Sequence, residues 1–95
     1  MLARALRLID QLVAQGKMPR AVGIALKAQV IAAQVLIGRG NESAAVQLLK
    51  AEVAQIDALV HCRVVKAADV APLRKILVDA IATLEAAAPR VRRRR

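Results

Sequence analysis

The chain contains no Phe, Trp or Tyr, although 58% of its 95 residues are hydrophobic. Its core must therefore come from Leu, Ile, Val, Met and Ala alone. Aromatic side chains bury the largest area per residue, so a core without them is thin. Alanine is the commonest residue; it is the best helix former and lets helix axes approach closely. Runs of β-branched residues such as Arg63-Val64-Val65 are too short and isolated to build a sheet. The expectation is one all-α domain, a compact antiparallel bundle of about four helices.

Hydrophobic spacing predicts where those helices lie. Leu2, Leu6, Ile9, Leu12 and Val13 recur at the three-and-four spacing of one helical face, predicting a helix over 2–15 that Gly16 stops. A second helix is expected over 19–37, with Pro19 in its first turn. It carries two apolar stripes: Val22, Leu26, Val30, Ala33 and Ile37 on one face, and Ile24, Ala28, Ile31 and Val35 on another. A helix apolar over most of its circumference is the centre of a structure or an interface. The second stripe is accordingly either covered by neighbouring helices or open to a partner, including a second copy of the chain.

Gly38-Arg39-Gly40-Asn41 punctuates the chain, with Asn41 suited to cap a helix over 42–60 and Glu42 favourable in its first turn. Ala45, Leu49, Val53, Ile56 and Val60 mark the expected inner face of that third helix. Its end is open to choice, because His61-Cys62-Arg63-Val64-Val65 offers no glycine. A fourth helix is expected over 69–87, capped by Asp69, with Pro72 in its first turn and Pro89 ending it. Val70, Leu73, Leu77, Ala80, Ile81 and Leu84 form its apolar face. The division is thus a helical domain over 1–88 and a disordered arginine-rich tail over 89–95.

Net charge is +9, but Arg90, Arg92, Arg93, Arg94 and Arg95 supply over half of it. Residues 1–89 hold 11 cations against 7 acids, or +4. The tail is a candidate anion-binding segment: clustered arginines neutralise phosphates nonspecifically and lose affinity as salt rises. Anionic lipid headgroups or surface polymers would serve it equally. Single-strand recognition wants aromatic platforms, which the chain lacks. A solubilising terminal segment is the plainer reading.

Little else suggests chemistry. His61 and Cys62 are adjacent, so on a helix they diverge by about 100° and do not form a nucleophile and base. One cysteine allows neither an intrachain disulfide nor a cysteine-based zinc site. The carboxylates Asp57, Asp69, Asp79 and Glu85 are scattered, and Gly38-Arg39-Gly40 lacks the strand that would make it a phosphate loop. No catalytic residue, metal site or cofactor is expected. No run of about 18 uninterrupted apolar residues is present, so no membrane-spanning segment is expected either. The first ten residues, with Arg4, Arg7 and Asp10, read as an amphipathic helix and not as a secretory signal.

Two runs carry a family resemblance. One is Leu26-Lys27-Ala28-Gln29-Val30 through Ala33-Gln34 to Arg39-Gly40-Asn41; the other is Ala44-Ala45-Val46-Gln47-Leu48-Leu49-Lys50-Ala51 with Val53-Ala54-Gln55-Ile56. Together with Gly16-Lys17 and Ala71-Pro72-Leu73, they make residues 8–81 resemble the FIMAH domain, a small helical module of bacterial and archaeal secreted or surface proteins. The resemblance implies a noncatalytic accessory module that binds or tethers to a protein or cell-surface partner. It brings no catalytic residues. Departures are specific: Glu52 stands where the family usually has an aromatic, Gln47 and Ala54 where asparagines are common, and Ile31 and Val35 at positions usually polar or small. An apolar residue at Ile31 tilts the second stripe of helix two toward an interface, possible self-association included. A small basic protein that binds nucleic acid through its tail is the alternative reading.

Overall fold

The computed structural model describes the backbone of residues 2–93 and the side chains of residues 2–86. Four helices follow one another: α1 (Ala3–Ala14), α2 (Arg20–Gly38), α3 (Glu42–His61) and α4 (Ala67–Arg93). The described residues contain no strand. The all-α bundle expected from composition is the fold.

The three connections end their helices by one device. Beyond α1, Gly16 takes φ +75° and the Lys17 N–H reaches back to the Leu12 carbonyl at 2.9 Å. Beyond α2, Gly40 takes φ +77° and the Asn41 N–H bonds the Leu36 carbonyl at 2.8 Å. Beyond α3 the left-handed position falls on Arg63, φ 62°, and the Val64 N–H bonds the Leu59 carbonyl at 2.9 Å. Each pattern satisfies carbonyls that a helix end would otherwise strand. The first two sites carry the residue that adopts this backbone freely; Arg63 does not, and the geometry costs it about 1 kcal/mol. Asn41 has two tasks, since its Oδ1 also accepts from the Ala44 N–H at 3.4 Å and caps α3.

The packing is a ring. α1 lies against α2 and α4, and α3 against α2 and α4, and among the described residues the backbones do not approach across either diagonal. Leu2, Ala5, Ile9 and Leu12 point inward from α1, Leu26, Val30 and Ala33 from α2, and Val70, Leu73, Leu77, Ala80 and Leu84 from α4. Met18 and Val65, both in connections, are buried as well. Because four helices at four corners enclose one core, α2 is a corner and not the centre. Only one of its two apolar stripes can be covered.

Several element boundaries differ from expectation. Pro19 caps α2 in extended conformation, φ −59° and ψ 143°, and does not enter the helix. α4 starts two residues before the expected Asp69, because the Lys66 carbonyl accepts from both Asp69 and Val70 N–H groups, at 3.1 and 3.2 Å. Asp69 is thus a first-turn acid, placed to favour the positive helix end, and Pro72 lies in the second turn. α4 also passes through Pro89 to Arg93, so residues 89–93 are helical where a disordered tail was expected. Proline's fixed φ of about −65° suits helical backbone and withholds one hydrogen bond. Arg94 and Arg95 lie outside the described residues, as do the side chains of Arg90, Arg92 and Arg93.

On α3 the inner face runs through Ala45, Val46, Leu49, Glu52 and Ile56. Val53 and Val60, expected at its heart, are half-buried at its margin. The residue that displaces them is a glutamate.

Candidate interaction surface

α2 is 19 residues long, about 28 Å at 1.5 Å per residue. Its buried stripe faces α1 and α3. The opposite stripe is open: Ile24 keeps 63% of its surface exposed, Ile31 and Val35 47% each, and Ala28 between them is exposed too. Ala21, Ala25, Ala32 and Gly38 complete the outward face. From Ala21 to Gly38 that face carries no charged or hydrogen-bonding side chain. The nearest charges sit on its flanks and ends. Lys27 is drawn sideways to Asp10 of α1, Nζ to Oδ1 at 2.8 Å, and Arg20 and Arg39 stand at the two ends.

An open apolar strip of this kind is of the order of 400 Å², the size of the largest patch on a typical monomer and often a functional one. Among the described residues it is the largest concentration of exposed aliphatic side chains, three of the five large ones; Val64 and Val78 are the others, elsewhere in the chain. By length and composition α2, with a mean hydropathy of 1.7, also reaches the level of a membrane-crossing helix, which the sequence reading did not anticipate. Its Leu26, Val30 and Ala33 are nonetheless fully enclosed by protein.

The remaining sites are dispersed. His61 is the last residue of α3 and Cys62 its cap, both exposed. Thr83 Oγ1 donates to the Asp79 carbonyl one turn back, at 2.9 Å. Among the described residues no three His, Cys, Asp or Glu side chains gather where they could hold a metal ion. Ion pairs tie α3 to α4 across the surface, Arg74 to Asp57 and Lys50 to Glu85 at 2.7 Å, and tie the first connection to α4, Lys17 to Asp69 at 3.7 Å.

Glu52, which the sequence marked only as a departure from a usually aromatic position, lies in the core. It is fully buried, 0% exposed, and neither carboxyl oxygen has a hydrogen-bond partner. Burial raises its pKa from 4.5 to about 8, because a carboxylate stripped of water without a compensating partner is strongly disfavoured. The acid is therefore largely neutral at pH 7. Gln29 Oε1 on α2 is also buried without a partner. The signal for Glu52 was present in its spacing, three after Leu49 and four before Ile56, on the face that turns inward.

The class defined by this fold is a four-helix bundle with one helix face uncovered. Comparison with protein-family models, curated proteins and solved structures finds no match.

Proposed function

We propose that the chain is a noncatalytic helical interaction module that works through the outer face of α2, an activity of the accessory and tethering kind associated with FIMAH domains, which its helical hairpins resemble. The observation that carries the reading is the row Ile24, Ala28, Ile31 and Val35, apolar and open over nearly the whole helix. Exposing large aliphatic side chains costs about 25 cal/mol per Å² of apolar surface left in water. One isolated exposed Ile is ordinary, but a continuous row is the mark of a contact surface.

A photo-crosslinking residue at position 31 tests this, with Ala54 on the exposed side of α3 as the control position. In cells expressing the chain, position 31 is expected to give a discrete adduct that is lost when Ile24→Glu is added. Equal labelling from positions 31 and 54, insensitive to Ile24→Glu, would refute the reading.

A further inference from the structure

Three buried oxygens lack a donor, and helix phase brings them to one contact. Glu52 Oε1 and Oε2 on α3 and Gln29 Oε1 on α2 are shut from water without a hydrogen-bond partner. A folded chain keeps few such atoms, because each gives up its bonds to water for nothing.

Phase and register set the two side chains opposite each other. Lys27 of α2 turns toward α1, where it pairs with Asp10. Gln29, two residues on, lies about 200° further round the helix and so on the flank toward α3. Lys50 and Asp57 of α3 turn toward α4, where they pair with Glu85 and Arg74. Glu52 lies about 200° round from Lys50, on the flank toward α2. The two helices run antiparallel about the short turn at 39–41, with Gln29 nine residues before Gly38 and Glu52 ten after Glu42. Those are heights of about 14 and 15 Å from the turn.

With the amide oxygen of Gln29 turned inward, an ionised Glu52 would meet it acceptor to acceptor. A carboxylic acid instead carries one O–H donor, which is what Gln29 Oε1 is short of. We infer that Gln29 and Glu52 form a proton-dependent latch between α2 and α3: the acid donates its O–H to Gln29 Oε1, and ionisation of Glu52 releases the bond. Burial keeps the proton in place through neutral pH, the Glu52 pKa being raised to about 8. No charge on the packed elements competes for the acid. On α2, Lys27 is held by Asp10 and Arg20 stands at the far end. On α4, Arg74 and Glu85 are engaged on the other flank of α3, Lys75 pairs with Asp79 along its own helix, and Asp69 lies beside Lys17. The latch sits on the inner side of the helix whose outer face is open, and it holds whatever that face binds.

The test is a double-mutant cycle of Gln29→Met and Glu52→Met, read by urea unfolding at pH 6 and pH 9, with circular dichroism to confirm helix content. At pH 6 the pair is expected to be coupled about tenfold in the unfolding equilibrium constant, the net worth of one buried neutral hydrogen bond. At pH 9 the coupling is expected to be gone. Glu52→Gln keeps a donor in the same place and should stay coupled to Gln29 at both pH values. Infrared spectra supply a readout that does not depend on stability. At pH 7 the wild type should show the band of a protonated carboxyl, identified by its loss in Glu52→Gln. Gln29→Met should move that band to the frequency of an acid without a hydrogen bond and lower its titration midpoint by about one pH unit. If the wild type unfolds before pH 9, the band at pH 7 decides. Additive effects at pH 6, a band that Gln29→Met leaves in place, or no protonated band at pH 7 would each overturn the latch. So would a coupling that grows from pH 6 to pH 9, which would mean that the Gln29 amide nitrogen serves the carboxylate instead.

Discussion

Gly23 of α2 faces Val13 of α1 so closely that a Cβ on the glycine would stand 2.5 Å from Val13 Cγ2. The glycine is the fourth residue of α2, at the end of its first turn, where it forfeits up to about 1 kcal/mol of helix propensity relative to alanine. It holds the place because the contact between α1 and α2 needs the missing atom. Gly23→Ala is expected to lower stability by roughly 1–2 kcal/mol despite the propensity gain, since a stiff β-branched neighbour must move. Urea unfolding measures it. An unchanged or raised midpoint would show that Val13 yields freely.

Glu52 makes stability depend on pH in an uncommon direction. Its folded pKa of about 8 lies above the ordinary 4.5, so the folded state binds the proton more tightly than the unfolded chain does. Below pH 4.5 both states are protonated and the group carries no penalty. As pH rises toward 8 the unfolded state ionises first, and stability falls by about 1.4 kcal/mol per pH unit. At pH 7 the cost is roughly 3 kcal/mol. Glu52→Gln is expected to flatten the pH profile between 5 and 8, and Glu52→Leu to raise the midpoint at pH 7. Denaturant titrations at pH 5 and 8 compare the slopes; an equal pH dependence in the wild type and Glu52→Gln would remove the effect from this residue.

Arg63 occupies the left-handed position that glycine occupies in the other two turns. Arg63→Gly is expected to stabilise the chain by about 0.5–1 kcal/mol, the strain relieved exceeding the extra unfolded-state entropy. Thermal melts report it directly. A loss of stability would mean that the Arg63 side chain contributes more than its backbone costs.

Asp57 and Arg74 form a two-point pair between α3 and α4, Nε to Oδ1 at 2.8 Å and Nη2 to Oδ2 at 3.1 Å. The guanidinium hydrogen bond holds the Asp57 carboxyl below its ordinary 3.8. The pair's contribution is present above that ordinary value and is lost as pH falls through the lowered one. Both side chains are about half exposed, so the effect is small and screened by salt. Arg74→Gln should lower the melting temperature slightly at pH 7 and low salt, and not at all at pH 2. A deficit that persists at pH 2 would point to the packing of the arginine stem instead.

Much of the bundle was legible in one dimension. Helix positions followed from apolar spacing, and the Gly16 and Gly38–Asn41 breaks followed from residues that favour left-handed backbone and caps. The inner faces of α1 and α4 followed from the sequence because burial repeats with the helical period. Three places resisted. α4 overran Pro89, since a single missing N–H is a local deficit that a helix already 22 residues long tolerates. The third turn was obscure because Arg63 accepts a strained backbone that no residue preference announces. Glu52 was left without a place on either face, because the polar–apolar rule puts a carboxylate outside whereas phase on the helix puts it inside.

The sequence alone determined that the chain is helical and that α2 bears two apolar stripes, for both are periodic properties of a single segment. It could not determine which stripe the protein keeps. That depended on the number and arrangement of neighbours: with α1 and α3 on its inner side and no helix beyond, α2 buries Leu26, Val30 and Ala33 and leaves Ile24, Ala28, Ile31 and Val35 to water. Tertiary packing decides such questions because a helix carries its pattern with it, while the core that claims one face exists only once the other helices have closed around it.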